Sequence, residues 1–283
     1  MTRAEAYAQA EQSLRAFGVT MSALEARYIL CEAAEISQSS LLTSGDEPLN
    51  AAAQARFDDM LSRRLNHESL ARVLGHAEFW GMNLRVNPSV LDPRGDSETL
   101  IRAALELFGS KNGEDLKIID LGTGSGALLC ALLREFPKAF GLGVDLSEQA
   151  ARTARLNATL VGVGMRAAFM VGRWGDALTG SFDIVMSNPP YIRAADIAGL
   201  DPSVRDYDPH LALDGGSDGL QPYRDLTAQL PRLLAPQGFV VFEIGHDQSA
   251  DVQRMMMEAG LVNIRIWLDY AGHDRVVTGQ SLA

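Results

Sequence analysis

The strongest indication of the fold is the stretch KIIDLGTGSGALLCALL, residues 117–133. Its first five residues form a short apolar run that predicts a buried strand, and residues 127–133 predict a helix. Gly122, Gly124 and Gly126 lie between them, where glycine permits positive φ and lets a ligand approach the backbone closely. A strand, a glycine loop and a helix in this order are typical of a cofactor site at the carboxyl edge of a parallel sheet.

The next strand-like run, residues 140–144, ends in Asp145. An acid at this place can bind the two ribose hydroxyls of an adenosine group. The pattern does not name the cofactor, because Gly122, Gly124 and Ala127 also satisfy the dinucleotide fingerprint G-x-G-x-x-G/A. A tight strand-to-helix turn without a ligand is the alternative interpretation.

The sequence Ser-Asn-Pro-Pro-Tyr occupies residues 187–191, directly after a strand-like run at 182–186. Proline fixes φ and has no N–H, so Pro189 and Pro190 cannot continue a sheet. The Asn188 amide and the stiff backbone carbonyls then form a rigid set of hydrogen-bond acceptors. Such a set suits a planar –NH2 group whose nitrogen attacks another atom, although Asn and Pro are also common in ordinary turns.

Two features favour S-adenosyl-L-methionine over a nicotinamide cofactor. Asp120 precedes the glycines in the pattern D-x-G-x-G-x-G, and the Asn-Pro-Pro-Tyr sequence follows later, with two predicted strands (140–144 and 167–171) between the strand of Asp120 and its own. A hydride-transfer enzyme has no evident use for that second motif. A nicotinamide-dependent oxidoreductase and a non-catalytic nucleotide sensor stay as alternatives from other functional classes.

The composition of the chain limits the kinds of site and partner that we expect. The 283 residues carry a net charge of −11, and Arg63-Arg64 is the one basic pair that stands out. Duplex binding needs a patch that neutralises several phosphates, so we expect no direct binding of duplex nucleic acid. Two apolar-flanked cysteines and five scattered histidines predict no metal site. No signal peptide or long apolar run occurs, so we expect a cytoplasmic protein with no membrane partner.

Periodicity divides the chain into three parts. Residues 1–72 predict a helical domain, residues 73–92 a β-hairpin linker, and residues 93–283 an alternation of strands and helices. Such alternation implies a parallel sheet with right-handed crossovers, and the last two strands could form an antiparallel edge. The predicted strands lie at 117–121, 140–144, 167–171, 182–186, 238–244, 264–268 and 275–278.

Local signals predict where several helices begin and end. Gly18 is a plausible stop for the first helix. Ser22 with Glu25 predicts a capping box at the second, and Asn50 precedes a third. Ser97 is expected to cap the helix that leads into the sheet.

The motifs at 120–126, Asp145 and 188–191 resemble those of the seven-stranded, Rossmann-like methyltransferases that use S-adenosyl-L-methionine to modify planar amino groups. Within that group the chain resembles the peptide chain release factor glutamine methyltransferases over nearly its whole length. One departure is Asp92-Pro93-Arg94-Gly95, where the family usually has an aliphatic residue first and proline last. The closer match rests on residues 75–81 (GHAEFWG), 92–98 (DPRGDSE), 204–216 (VRDYDPHLALDGG) and 274–277 (DRVV).

The resemblance implies the activity and the site. The expected reaction is methylation of the side-chain amide of the glutamine in the Gly-Gly-Gln motif of release factors, with the amino-terminal helices docking that substrate and the enzyme acting as a monomer. The alternatives are a ribosomal-protein glutamine and the amino group of adenine in nucleic acid. The implied catalytic residues are Asn188, Pro189 and Tyr191, with Pro190 as a further substrate contact. The implied cofactor-binding residues are Gly122, Thr123, Gly124, Ser125, Gly126, Asp145, Trp174 and Asn188.

Glu243 ends the predicted strand at 238–244. We expect its side chain at the rim of the cofactor pocket.

Overall fold

The computed structural model describes residues 1–109 and 113–282. They form two compact units. The first comprises Met1–His76 and Asp201–Tyr207, and the second comprises Ala77–Leu200 and Asp208–Ala283. Within the described ranges, no helix combines the length and the apolar character needed to cross a bilayer.

The first unit is helical. Its core is an apolar cluster that includes Leu14, Ile29, Leu30 and Phe57, all with 0% exposure. The segment from Asp201 to Tyr207 belongs to this unit, and the Tyr207 hydroxyl donates a hydrogen bond to the Asn66 carbonyl over 2.6 Å. The helices are α1 (Arg3–Phe17), α2 (Ser22–Ala34), α3 (Gln38–Thr43), α4 (Ala51–Leu65), α5 (Leu70–Leu74) and, in the later segment, α9 (Pro202–Arg205).

The predicted helix ends are partly confirmed. Gly18 terminates α1 in the left-handed conformation at φ +97°, and the Asn50 side chain accepts from Ala53 N at the start of α4. The capping box predicted at Ser22 is wrong, because Met21 is the N-cap of α2 and makes no side-chain cap bond. Glu25 instead accepts from Arg64 Nε over 2.6 Å, so a contact between two helices has replaced the local one.

A two-stranded hairpin, β1 (His76–Phe79) and β2 (Met82–Arg85), lies at the start of the second unit, and all of its residues except His76 belong to that unit. Asn157 holds this hairpin against the sheet unit, since its side chain accepts from Arg85 N over 2.8 Å and donates to Arg85 O over 3.0 Å. The helices of this unit are α6 (Glu98–Phe108), α7 (Ala127–Glu135), α8 (Glu148–Leu160), α10 (Gln221–Thr227), α11 (Leu230–Leu233) and α12 (Ser249–Glu258).

Seven strands form one sheet in the order β5-β4-β3-β6-β7-β9-β8. The pairs β3/β4, β3/β6, β4/β5 and β6/β7 are parallel, and β9 pairs antiparallel with both β7 and β8. The predicted α/β class, the seven strands and the antiparallel edge are therefore confirmed. The strands are β3 (Lys117–Leu121), β4 (Phe140–Asp145), β5 (Ala167–Val171), β6 (Phe182–Ser187), β7 (Leu234–Glu243), β8 (Val262–Leu268) and β9 (Asp274–Gln280).

The centre of the sheet is covered on both faces. Ile118 and Ile119, on opposite sides of β3, are both fully buried, in two different apolar clusters. Helix α7 is buried at every position from Ala127 to Leu133, which explains why its sequence is apolar all round. This packing fixes the loop at the start of α7 against the carboxyl end of β3.

Candidate active site

The two sequence motifs meet at the carboxyl ends of neighbouring strands. β3 and β6 are adjacent and parallel, while the chain leaves β3 toward β4 on its other side. This reversal of strand order is where α/β sheets bind ligands. Ser187 Oγ donates to the Leu121 carbonyl over 2.5 Å and ties the two strand ends together. The loop at Gly122 and the side chain of Asn188 therefore start side by side.

Three glycines of the loop have positive φ, and they differ in how closely other side chains approach them. Gly122, at φ +81°, lies so close to Trp174 that a Cβ would stand 3.1 Å from its ring. A Cβ on Gly126, at φ +78°, would stand 2.9 Å from the Cβ of Ala154. Gly124, at φ +54°, has nothing within 4 Å of that position. The loop is thus tightly packed at its two ends and open in the middle.

Two acids hold this loop. Asp120 is fully buried beneath it, and its Oδ2 accepts from Thr123 Oγ1 over 2.6 Å. Burial raises the pKa of Asp120 to about 7. Asp145 accepts from Gly124 N over 2.8 Å and from Ser147 N over 2.9 Å, one bond on each carboxylate oxygen. Burial also raises the pKa of Asp145, although these N–H donors oppose the shift. Each carboxylate oxygen keeps a lone pair that a hydroxyl could use.

Trp174 adopts the left-handed conformation at φ +49°. The neighbouring backbone is fixed by the buried side chain of Gln229, which accepts from Gly175 N and donates to Asp176 Oδ1, both over 2.8 Å. A non-glycine residue persists at such φ only where its surroundings determine it. Gln229 is the part of these surroundings that local sequence could not reveal, since it lies on the later chain before α11.

The Asn188 side chain is oriented by Ser97. Its Nδ2 donates to Ser97 Oγ over 3.1 Å. Ser97 stands at the start of α6 as expected, but its side chain makes no cap bond, so the prediction of a capping role is wrong. The hydroxyl serves the Asn-Pro-Pro-Tyr turn instead.

The backbone of the same turn is held by Gln248, which is 4% exposed. Its Nε2 donates to the carbonyls of Tyr191 and Gly219, each over 3.1 Å, and its Oε1 accepts from Gly245 N over 3.0 Å. A Cβ on Gly219 would stand 2.5 Å from Tyr191 O. One buried carboxamide therefore joins three loops behind the turn.

A cavity of about 510 Å³ opens at these strand ends. It brings together most of the predicted site residues: Gly122, Thr123, Gly124, Ser125, Asp145, Trp174, Asn188 and Pro190.

Three predicted site residues lie next to the cavity without lining it. Gly126 and Pro189 are buried, and Tyr191 is half-buried with its ring against the apolar cluster on one face of the sheet. Glu243 was expected at the rim and this is wrong, because it is only 2% exposed and is not among the residues that line the cavity.

The loop that departs from the family pattern also lines the cavity. Asp92, Pro93, Arg94 and Ser97 all contribute to its wall, and Asp92 is buried where the family has an aliphatic residue. Arg94 forms an ion pair of 2.7 Å with Asp208, whose side chain is 1% exposed. Gly95, where the family usually has proline, begins a 3-10 turn over Gly95–Ser97.

Among the described residues, no three His, Cys, Asp or Glu side chains form a group that could hold a metal ion. The polar groups at the cavity are amides, hydroxyls, separate carboxylates and the guanidinium groups of Arg94 and Arg173.

Comparison with known proteins shows the family of this chain. Residues 5–75 match the PrmC N-terminal domain, and residues 112–271 match a methyltransferase domain. The chain is 41% identical to the release factor glutamine methyltransferase of Rhodospirillum rubrum, over 95% of this chain and 82% of that protein. The chain belongs to the release factor glutamine methyltransferase family. The Caulobacter vibrioides member is 39% identical over 99% of this chain and 96% of its own length.

Solved structures agree on the fold. The N-terminal domain of human METTL16 in complex with SAH superposes with a TM-score of 0.54 at 17% identity, covering 84% of this chain and 86% of that one. At this identity the likeness extends to the methyltransferase fold alone. The assignment to the family rests on the sequence relatives.

Proposed function

We propose that this protein transfers the methyl group of S-adenosyl-L-methionine to the side-chain amide nitrogen of the glutamine in the Gly-Gly-Gln motif of peptide chain release factors. The observation that carries the proposal is the single cavity that joins the glycine loop and Asp145 to Asn188. A methyl donor on one wall and an amide acceptor on the other can meet there. The family relatives supply the identity of the substrate.

The residues present fit the methyl donor. Asp145 keeps lone pairs for the two ribose hydroxyls, and the Trp174 ring offers a flat apolar surface for adenine. The open middle of the glycine loop, at Gly124, leaves room for the methionine part. When bound, S-adenosyl-L-methionine supplies a methyl group on a positively charged sulfur, which is already activated for transfer.

Asn188 acts by position. A carboxamide nitrogen is a poor nucleophile, because its lone pair is delocalised into the carbonyl. The Asn188 oxygen accepts one N–H of the substrate amide, and the Pro189 carbonyl is proposed to accept the other. These bonds hold the nitrogen and turn its lone pair toward the methyl group. They accelerate the reaction to the extent that they strengthen as the nitrogen gains positive charge.

The methyl transfer needs no reactant besides the substrate amide and the methyl donor. A nitrogen–carbon bond forms as the sulfur–carbon bond breaks, and the electron pair of that bond stays on sulfur as a neutral thioether. The methylated nitrogen then loses one of its two protons to solvent. Tyr191, whose ring packs against the apolar cluster behind the turn, is proposed to stiffen the Asn188 backbone.

The first unit is proposed to dock the release factor, since it is the part that matches the PrmC N-terminal domain rather than the methyltransferase domain. We propose that the enzyme acts as a monomer in the cytoplasm, where release factors work. Light scattering of the purified protein with and without a release factor tests the monomer and the one-to-one complex.

The test of the reaction is mass spectrometry. A purified, unmethylated release factor is incubated with this protein and S-adenosyl-L-methionine, and the intact mass and the Gly-Gly-Gln peptide are measured. One added methyl on that glutamine is the expected result. A release factor with Gln→Glu at this position lacks the amide and should stay unmodified.

Absence of transfer with the cofactor bound would contradict the proposal. Methylation of a ribosomal-protein glutamine or of adenine in nucleic acid, each supplied in place of the release factor, would favour the corresponding alternative. Binding of NADH in place of S-adenosylhomocysteine would favour an oxidoreductase.

A further inference from the structure

A buried carboxyl group lies behind the catalytic turn. Glu243 ends β7 and is 2% exposed. It follows Phe242, the register partner of Ser187, and so lies next to Asn188, and the hydrogen-bonding groups of Ser97 and Asn188 oppose the rise of its pKa that burial causes. Its Oε2 is buried and accepts no hydrogen bond from any residue in the described ranges. An acceptor that is removed from water and left unpaired is costly, and such groups are rare in folded proteins.

The chemistry of a carboxylate decides which way Asn188 can face. An ionised carboxylate accepts hydrogen bonds and has no proton to donate. Only the Nδ2 end of the Asn188 amide can therefore face Glu243, and that end already donates to Ser97 Oγ. The Oδ1 end is then turned away, toward the cavity that Asn188 lines.

A protonated carboxyl has no such preference. It carries an O–H donor, which Asn188 Oδ1 can accept after the amide has turned by half a rotation. In that orientation the amide presents N–H groups to the cavity, and these cannot accept from a substrate –NH2.

We propose that Glu243 is a positioning residue whose ionised carboxylate holds the Asn188 amide with its oxygen toward the substrate nitrogen. This inference rests on the proposed methyl transfer and deepens it. The negative charge also polarises the Asn188 amide through its N–H group, which makes Oδ1 a better acceptor as the substrate nitrogen becomes positive.

The surroundings of Glu243 allow both protonation states near neutral pH. Desolvation raises its pKa to about 7, with Asp96 acting in the same direction and Arg275 against it. The hydroxyls of Tyr191 and Tyr223 also face the group, and both have pKa values above the ordinary range for tyrosine. They stay neutral when Glu243 titrates, so the carboxyl is the group that changes charge.

The test compares kcat for release factor methylation in the wild type and in Glu243→Gln between about pH 6 and about pH 8.5. The wild-type kcat should rise about tenfold with pH, because a charged hydrogen bond replaces a neutral one. Glu243→Gln is neutral throughout, so its kcat should be flat and close to the low-pH value of the wild type. Its affinity for S-adenosylhomocysteine should stay within about twofold of the wild type.

Two further variants separate the effect of Glu243 from that of its neighbours. Asp120→Asn removes the other buried carboxyl with a pKa of about 7, and it should keep the rise of kcat with pH whatever its own rate. In Asn188→Ala, the additional change Glu243→Gln should have no further effect, since the side chain that it positions is absent.

Three results would overturn the inference while leaving the proposed function intact. They are a flat wild-type profile, an unchanged rise of kcat with pH in Glu243→Gln, and additive effects in the double variant. If Glu243→Gln does not fold, the pH profile of Asn188→Ala provides the second measurement, and its kcat should not rise with pH, because the side chain that Glu243 positions is absent. Failure of the wild type to methylate any release factor would instead refute the proposed function itself.

Discussion

Asn188 Nδ2 donates to Ser97 Oγ over 3.1 Å, and this bond joins the turn after β6 to the start of α6. The two residues are 91 positions apart in the chain. A serine before an apolar helix normally caps that helix, yet here its hydroxyl orients an amide at the cavity. The consequence is that the nitrogen of the Asn188 amide is the end that contacts Ser97 and the oxygen is the end that does not.

Asn188→Ala should reduce turnover by about 10²–10³-fold, the usual cost of losing one preorganised polar contact in a transition state. Cofactor affinity should be nearly unchanged, because the glycine loop and Asp145 remain. Single-turnover methylation and calorimetric binding of S-adenosylhomocysteine measure the two quantities. Near-normal turnover would refute the positional mechanism.

Gly122→Ala should weaken binding of S-adenosylhomocysteine by about tenfold, equivalent to ~1.4 kcal/mol. The new Cβ would stand 3.1 Å from the Trp174 ring and push it into the cavity wall. Gly162→Ala is the matched control, because its φ is also +81°, its Cβ would meet nothing within 4 Å, and Gly162 does not line the cavity. Both variants carry the same strain of roughly 1–2 kcal/mol. Equal loss of affinity in both would mean that contact with Trp174 is irrelevant.

Elements with local sequence signals could be predicted from the sequence alone. The strand at 117–121 and the glycine loop follow from apolar runs and turn chemistry, and the motif at 188–191 marks its own strand end. The sheet order then places the glycine loop beside Asn188, as a parallel α/β topology requires.

Signals that depend on distant partners led to wrong predictions. Glu25 pairs with Arg64 and not with the start of its own helix, and Ser97 serves Asn188. The burial of Glu243 depends on the elements packed around β7, which no local pattern encodes. Strand β7 also starts earlier than predicted, at Leu234, which pairs with Phe182 of β6. The register of this pairing shifts between Phe182 and Ile184, and Ile184 pairs with Phe239.

Gly219→Ala should destabilise the protein by about 3 kcal/mol, through overpacking and positive-φ strain together. Its Cβ would stand 2.5 Å from Tyr191 O and 2.7 Å from Gln248 Nε2, so the bond between those two groups must break. Gly162→Ala shares the positive φ but has nothing within 4 Å, and should cost only about 1 kcal/mol. Urea unfolding of both variants compares the two costs, and similar values would show that Gly219 is not a packing site.

Asp120→Asn should become progressively more stable than the wild type as the pH rises from about 4 to about 7. Burial raises the pKa of Asp120 from 3.8 to about 7, so the folded state holds this proton more tightly than the unfolded state does. The stability that the neutral acid contributes is complete below about pH 4 and is lost as pH rises through about 7.

The asparagine stays neutral and can still accept from Thr123 Oγ1. The difference in the free energy of unfolding should therefore grow by roughly 2–4 kcal/mol between about pH 4 and about pH 8. Glu243 is present in both proteins, so its own titration cancels in the difference. Urea unfolding at the two pH values measures the effect, and a constant difference would mean that Asp120 is ionised in the folded protein throughout this range.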